Sequence, residues 1–444
     1  NDQFGEVVAI DGNYAIVGAM HDDDHSTSSG SAYIFNVQTG AERYKLLPMD
    51  ARIATEFGCS VAISGNYAIV GARYEDEPPR NNAISNYGSA YIFNVLTGAQ
   101  LHKLILSDKE AYDYFGWSVA ISGNYAMVGA WSDDGNNGQN SGRVHLYNVQ
   151  TGAHIKEITA SDVAASDNFS RGTIAMSGNY AIVGAYGDDD NGSDSGSAYI
   201  FGPTALLPPL LSIDNDSTNM VVNGTIVAES ISTDKIYATG NMGSSSTNTK
   251  KAQIGTGDFD DEETYSDFKN IVEQTLIPND SLATGDEYGV DVAVSGNYVI
   301  VSNDRDDDNG SNSGSVYIFD ATTGAQIHKL LPSDGAASDY FGNSVAISGN
   351  YAIVGAKFDD DTDSNTGSAY IFNVTTGLQI YKLVASDAAQ SDYFGYSVAI
   401  DGNYAIVGAS YDDDNASGSG SAYIFNVITG QQLHKLTASD GAEN

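Results

Sequence analysis

Phe341-Gly342-Asn343-Ser344-Val345-Ala346-Ile347-Ser348-Gly349-Asn350-Tyr351-Ala352-Ile353-Val354-Gly355-Ala356 is followed by an acidic loop, by Ser368 to Val374, by Thr376-Gly377 and by Gln379 to Leu383. The apolar segments of this stretch are short, rich in Val, Ile, Tyr and Phe, and partly alternating, which is the pattern of strands rather than helices. Gly349-Asn350 and Thr376-Gly377 stand where the chain must reverse, and Gly or Asn accepts the positive φ of a tight hairpin turn. The unit therefore reads as a four-stranded antiparallel meander.

The marker Gly-Asn-Tyr recurs at Gly12, Gly65, Gly123, Gly178, Gly296, Gly349 and Gly402, at intervals of 53, 58, 55, 118, 53 and 53 residues. That makes seven copies, with one junction overlong by about a unit's length. A lone meander cannot bury both faces, so copies must stack, and radial closure leaves only short, protected edges. The expected fold is all-β, a seven-bladed β-propeller of four-stranded antiparallel blades. The small residues of Ala352 to Ala356 suit an inner position where blades converge, and the basic strands His328-Lys329-Leu330 and Tyr381-Lys382-Leu383 suit the solvated outer edge.

Composition agrees. Of 444 residues, 48 are Gly, 28 Tyr and only 8 Pro, a mixture for short strands and tight turns. The 58 acidic residues against 19 basic ones give a net charge of -39, which argues against a nucleic-acid partner. The acidity fits a salty or cation-rich exterior and equally a solubilising surface. Cys59, the only cysteine, lies on an apolar strand and is expected to be a buried thiol. No apolar run reaches the ~18 residues of a membrane span, so membrane insertion is not expected. No signal peptide opens the chain, and residue 1 is not Met and falls just before a repeat, so the natural protein is expected to extend beyond at least one end.

Phe57-Gly58-Cys59-Ser60-Val61-Ala62 with Val70-Gly71-Ala72, and the matching stretches of the other units, resemble the FG-GAP repeats of integrin α-subunit propellers and their bacterial and viral relatives. The resemblance covers nearly everything except residues 204–273. Unit four departs with Phe169-Ser170-Arg171-Gly172 and unit five with Tyr288-Gly289, where a looser aromatic contact is expected. Asn373 to Gln379 resembles the hairpin of quinoprotein and WD-type blades, but the docking Trp of quinoprotein blades is missing, so no quinone cofactor is inferred.

After strand two each regular unit carries a run of aspartates: Asp22 to Asp24, Asp188 to Asp190, Asp306 to Asp308, Asp359 to Asp361 and Asp412 to Asp414. The first Asp always lies eight residues before the Gly that opens strand three, which implies one loop shape. Ca²⁺ needs six to eight hard oxygen ligands, and one loop could supply several. The candidate metal ligands are Asp22, Asp24, Asp188, Asp190, Asn191, Asp194, Asp306, Asp308, Asp359, Asp361, Asp412 and Asp414, with the acidic connection between blades as a second source. The opposing reading is that Asp, Asn, Ser and Gly are turn formers on a solvated rim. FG-GAP units of the integrin type hold Ca²⁺ between strands one and two, where this chain has the short turn Ser348-Gly349-Asn350, so those sites are not carried over. Units two and three have irregular loops, and Tyr74, Arg80, Tyr87 and Trp131 are candidate ligand contacts there.

The expected domain organisation is blades one to four over 1–202, an insertion over 203–273, and the rest of blade four with blades five to seven over 274–444. The insertion opens with a proline-rich arm, Pro203 to Pro209, and carries a Gly/Ser/Thr/Asn stretch, Gly240 to Thr249. A hairpin is expected around Asn223-Gly224 in Met220 to Val227, and a short acidic helix around Glu262 to Glu273. Val222 to Gly240 is similar to β-rich segments of phage and viral fibre proteins, which implies a homo-oligomer, a trimer, through 203–273; the alternative is a small capping hairpin.

Catalysis needs a nucleophile, a base or a metal-bound water in a defined pocket, and the seven histidines do not assemble one by their spacing. His102, His328 and His434 share one outer-strand slot, His145 and His154 lie on strands, and His21 and His25 flank one aspartate run. No phosphate-binding Gly-rich loop or nucleophile elbow occurs. The expectation is a non-enzymatic adhesion or recognition module at a cell surface, a virion surface or elsewhere outside the cell, binding a glycan or protein through its acidic loop face. The alternatives are an architectural component of a surface layer, filament or capsid, and a metal-dependent hydrolase or lyase built on a propeller.

Overall fold

The computed structural model describes residues 2–23, 26–50, 54–76, 86–108, 110–134, 139–190, 192–203, 210–213, 220–223, 271–360, 363–413 and 417–440. It holds seven four-stranded antiparallel sheets, over 8–46, 57–104, 119–158, 174–276, 292–330, 345–383 and 397–436. Each is a meander with its strands in chain order. In blade one these are Val8–Asp11, Tyr14–Ala19, Ser31–Asn36 and Glu42–Leu46. The turns between strands one and two are built as the sequence predicts, with Gly349 at φ 55° and open space around it.

The first strands of successive blades pack against one another around the ring, and Ser397–Asp401 packs against Val8–Asp11. Closure is completed by backbone bonds from Gln3 N to Gly418 O, 3.2 Å, and from Phe4 N to Ser419 O, 3.1 Å. Strand one is therefore innermost. The small-residue strand Tyr351–Ala356 is second from the axis and buried from Ala352 onward.

Its small residues answer to the neighbouring blade. Phe57 N bonds Ser29 O of blade one at 3.2 Å. Gly58, at φ 95°, passes so close that a Cβ would stand 2.2 Å from Ser31 O, and a Cβ on Gly18 would stand 2.2 Å from Gly58 O. The Phe-Gly pair and the Gly-Ala pair of the repeat are thus the two sides of one seam. Between blades five and six the second glycine is replaced by Ser302, and the corresponding distance from Gly342 to Ser315 O opens to 3.2 Å. The Ser302 side chain and Val316, which takes the place of the alanine of most units, both crowd this seam.

The seam is also the core. Ile16, Ile34 and Leu46 of blade one pack with Phe57, Val70, Tyr91 and Phe93 of blade two, and the same sandwich recurs between other neighbours. Each fully buried Phe contributes roughly 2–3 kcal/mol, so a blade is stable only between two others. Phe57 meets Tyr91 and Phe93 edge-on at 5.5 and 5.9 Å. In blade four the spacings from Phe169 grow to 5.9 and 6.2 Å, and Tyr288 stands 5.7 Å from Tyr317, the looser contacts expected of the two divergent units. Cys59 is free and buried, its Sγ 3.5 Å from Gly116 O.

The chain divides into two compact units, Asn1–Gly202 with Glu273–Asn444, and Pro203–Val272. The fourth strand of blade four is Ile271–Leu276, three residues earlier than the expected start at Gln274. This also corrects the helix expected over 262–273: its last residues are strand, because they complete the blade, and 262–270 lie outside the described residues. In the second unit Met220–Asn223 is a strand, but its partner is Leu210–Ile213 upstream, with Ile213 opposite Met220. The other arm of the hairpin expected about Asn223-Gly224 lies outside the described residues, as does Gly240 to Thr249. Among the described residues no helix is long and apolar enough to cross a membrane.

Candidate functional site

Strand two ends and strand three begins on the same side of the ring as the blade connections, so the aspartate loops share that face. Their common shape is fixed by one backbone bond: Gly30 N to Asp22 O, 3.0 Å, repeated at Gly196 to Asp188, Gly314 to Asp306, Gly367 to Asp359 and Gly420 to Asp412. The second aspartate of each run is a loop brace. Asp189 accepts from the amide of Asp194 at 2.8 Å, Asp307 from Asn312 at 2.8 Å and Asp360 from Asn365 at 2.7 Å.

The first aspartate turns inward. Asp22 accepts from Ser31 Oγ at 2.5 Å and Tyr33 OH at 2.7 Å and faces Lys45 Nζ at 2.8 Å. Asp359 has Tyr370 at 2.6 Å and Lys382 at 3.0 Å; Asp412 has Tyr423 at 2.5 Å and Lys435 at 2.8 Å. Each lysine also reaches a carboxylate of the blade connection: Lys45 to Asp440, Lys382 to Asp334 and Lys435 to Asp387. In blade two Glu75 takes the aspartate's part, paired with Tyr91 and Lys103. A second carboxylate therefore does lie near each of these aspartates, and the cation between the two in these blades is a lysine of strand four.

Blade four differs. Thr275 stands where five of the other blades have lysine, and the described side-chain partner of Asp188 is Tyr199 OH at 2.7 Å. Asp188 holds the carboxyl of Asp190 above the usual range by repulsion, with burial adding to it. Of the other candidate ligands, Asp308 pairs with Lys329 at 2.6 Å and Asp194 is exposed, while Asp24, Asn191, Asp361 and Asp414 lie outside the described residues.

A second feature of this face is a row of rings. Tyr74 meets Tyr114 edge-on at 5.7 Å, Tyr114 stacks on Trp131 at 5.4 Å and 1°, and Trp131 meets Trp117 at 5.6 Å. Arg73 lies 4.5 Å over Trp117, and Arg171 lies 4.5 Å over Trp131. A similar row, Tyr340, Phe358, Tyr393 and Tyr411, continues at 5.3, 5.4 and 5.1 Å, with Lys357 4.8 Å over Tyr396. It borders a cleft of about 550 Å³. Arg73, Trp117 and Arg171 also line one end of the axial channel, whose wall takes at least one apolar residue from each first strand, from Val8 to Val398.

Charges at that mouth are buried and unevenly matched. Burial lifts Glu6 to about 7 and Asp304 to about 6 against the pull of Arg73 and of Lys357 respectively, and burial lowers Lys357. Glu6 Oε2, Trp131 Nε1, Arg171 Nε and Asp304 Oδ1 are buried without a hydrogen-bond partner.

Two of the four predicted contact residues, Tyr74 and Trp131, therefore come together. Arg80 lies outside the described residues, and Tyr87, half-buried, is placed by its carbonyl accepting from Phe115 N at 3.0 Å. Sequence reasoning missed Tyr112, Tyr114, Trp117, Arg73 and Arg171. Their signal was faint: each follows or precedes a repeat motif by one to three residues. His145 and His154, read only as strand residues, turn out to be neighbours, with Nδ1 and Nε2 3.4 Å apart.

Fold and face together define a closed repeat propeller whose variable surface is one rim of loops. The chain belongs to the FG-GAP repeat family: the family's repeat matches at residues 1–35, 41–93, 99–147, 154–201, 272–319, 325–372 and 378–425. Membership points to a recognition- or adhesion-type domain. No curated protein matches the chain significantly.

Proposed function

We propose that this protein is a non-catalytic recognition module, exposed outside a cell or on a virion, that binds a glycan through the loop face of its propeller. The observation that carries this reading is the pair of ring rows, with Tyr112 50% and Tyr411 38% exposed at their margins. Three of the chain's few cations, Arg73, Arg171 and Lys357, lie over rings there. Flat ring faces stack on the apolar faces of sugars, while the surrounding carboxylates and unpaired donors suit hydroxyl groups. A protein ligand would use the same aromatic and Arg anchors. A calcium contribution belongs, on this reading, to blade four, where Asp188 and Asp190 have no lysine between them.

The test is a glycan array and a cell-binding assay with the full chain and with Tyr114→Ala and Trp131→Ala. The reading expects sugar-selective binding that both substitutions abolish. An architectural role through residues 203–273 predicts no binding in either assay and self-association in sedimentation velocity. Calcium titration by calorimetry, repeated on Asp188→Asn, checks the metal: no heat from the unsubstituted chain removes it.

A further inference from the structure

Blade three breaks the tyrosine, carboxylate and lysine arrangement in a coordinated way. The third residue of strand three is tyrosine in the other six blades and His145 here. The penultimate residue of strand four, lysine in five blades, is Glu157, and His154 begins the same strand. Pairing sets His145 opposite Glu157 and Tyr147 opposite His154, with the ladder shifting between Leu146 and Tyr147. That irregularity brings both imidazoles and the carboxylate to one spot.

Their ligand atoms lie within 4.8 Å of one another. His145 Nδ1 and His154 Nε2 are 3.4 Å apart. This is long for a hydrogen bond to nitrogen, whereas two nitrogens about 2.05 Å from one tetrahedral zinc ion stand about 3.3–3.4 Å apart. The remaining ring nitrogen of His145, Nε2, is buried without a hydrogen-bond partner and faces Asp133 Oδ2 at 3.7 Å. A zinc-bound imidazole directs its other N–H to a carboxylate in this manner. The cation that serves Asp133 has moved to strand three, as Arg143, whose Nε is 3.3 Å from Asp133 and whose Nη1 is 3.1 Å from Glu157 Oε2. Glu157 Oε1 is thereby left to turn toward the imidazoles.

From this geometry we propose that His145, His154 and Glu157 form a binding site for zinc or a similar imidazole-seeking divalent metal, with the fourth position open to water or to a donor from a ligand. It stands apart from the calcium reading: two nitrogens select zinc, nickel or copper over calcium. His154 and Glu157 are exposed, so the metal can enter from solvent.

The test is zinc titration of the full chain against a chromogenic chelator, in millimolar Ca²⁺ to saturate oxygen-only sites, with Co²⁺ as a spectroscopic probe. One metal per chain and the visible absorption of tetrahedral cobalt are expected. His154→Ala should weaken binding by about 100-fold or more and Glu157→Gln by about tenfold or more. His145→Tyr, which restores the residue of the other blades, should abolish it with the melting temperature in metal-free buffer retained. Zinc binding equal in His154→Ala and the parent, or no binding that survives the calcium, overturns the proposal and leaves a plain contact between imidazoles.

Discussion

Lys329 is held by three carboxylates at once: Asp280 at 2.5 Å, Asp308 at 2.6 Å and Asp306 at 3.0 Å. Burial pushes the Asp306 carboxyl up, but the bonds from Lys329 and Ser315 outweigh it and hold it below the usual range. Lys329→Met keeps most of the alkyl stem and removes the charge. Stranding a fully buried partner costs about 3–5 kcal/mol; with the Lys329 side chain 19% exposed, about 2–4 kcal/mol is expected here. At roughly 2 °C per kcal/mol for a chain of this size, the melting temperature should fall by about 4–8 °C. The three oxygens left behind lie within 4.8 Å of one another, a calcium donor set without its cation. Calcium at 100 times its dissociation constant should then restore about 2.7 kcal/mol. Thermal unfolding followed by circular dichroism, with and without calcium, reads both effects. If Lys329→Met melts with the parent in metal-free buffer, the lysine is not a structural cation; if calcium leaves the variant unmoved, the ammonium does not stand in a metal's place.

Gly58→Ala forces a side chain to φ 95° with its Cβ 2.2 Å from a backbone oxygen, so a loss of about 3 kcal/mol or more is expected in urea unfolding. Stability should rise as pH falls from 8 toward 5. Glu6 and Asp113 at about 7, and Asp291, Asp304, Asp339 and Asp392 at about 6, bind protons in the folded chain that the unfolded chain takes up only near 4. Below about 4 the sign reverses, as Asp50, Asp306, Asp334 and Asp387, all held low, lose their charge; melting temperatures that only fall between pH 8 and 5 would contradict this. Tyr112→Ala should leave stability within about 0.5 kcal/mol, Tyr411→Ala, which loses its contact with Tyr393, should cost about 0.5–1.5 kcal/mol, and both should weaken glycan binding in the array.

The blades were legible because each rests on local rules repeated in phase: Gly349-Asn350 turns the chain, Phe341-Gly342 marks the seam, and the eight residues from Asp306 to Gly314 close one loop. Partners of the aspartates were also present in the repeat, since Tyr317 and Lys329 keep their places in most units, but alternation alone does not say which carboxylate a side chain meets. Contacts between repeats were harder to see. Tyr74 meets Tyr114 across a blade boundary, and His145 meets His154 because blade three alone sets imidazoles at two positions beside a bulge that other blades share. No period predicts either, since both arise where units differ.

The bonds that join the last blade to the first are those that join any blade to the next. Phe4 N reaches Ser419 O at 3.1 Å where Phe57 N reaches Ser29 O at 3.2 Å, and Gly5 crowds Ser421 O as Gly58 crowds Ser31 O. Chain continuity contributes nothing to that geometry. The ring has no privileged opening, so a circular permutant cut at any of the other six blade connections, with the old ends linked, should rebuild the same circle.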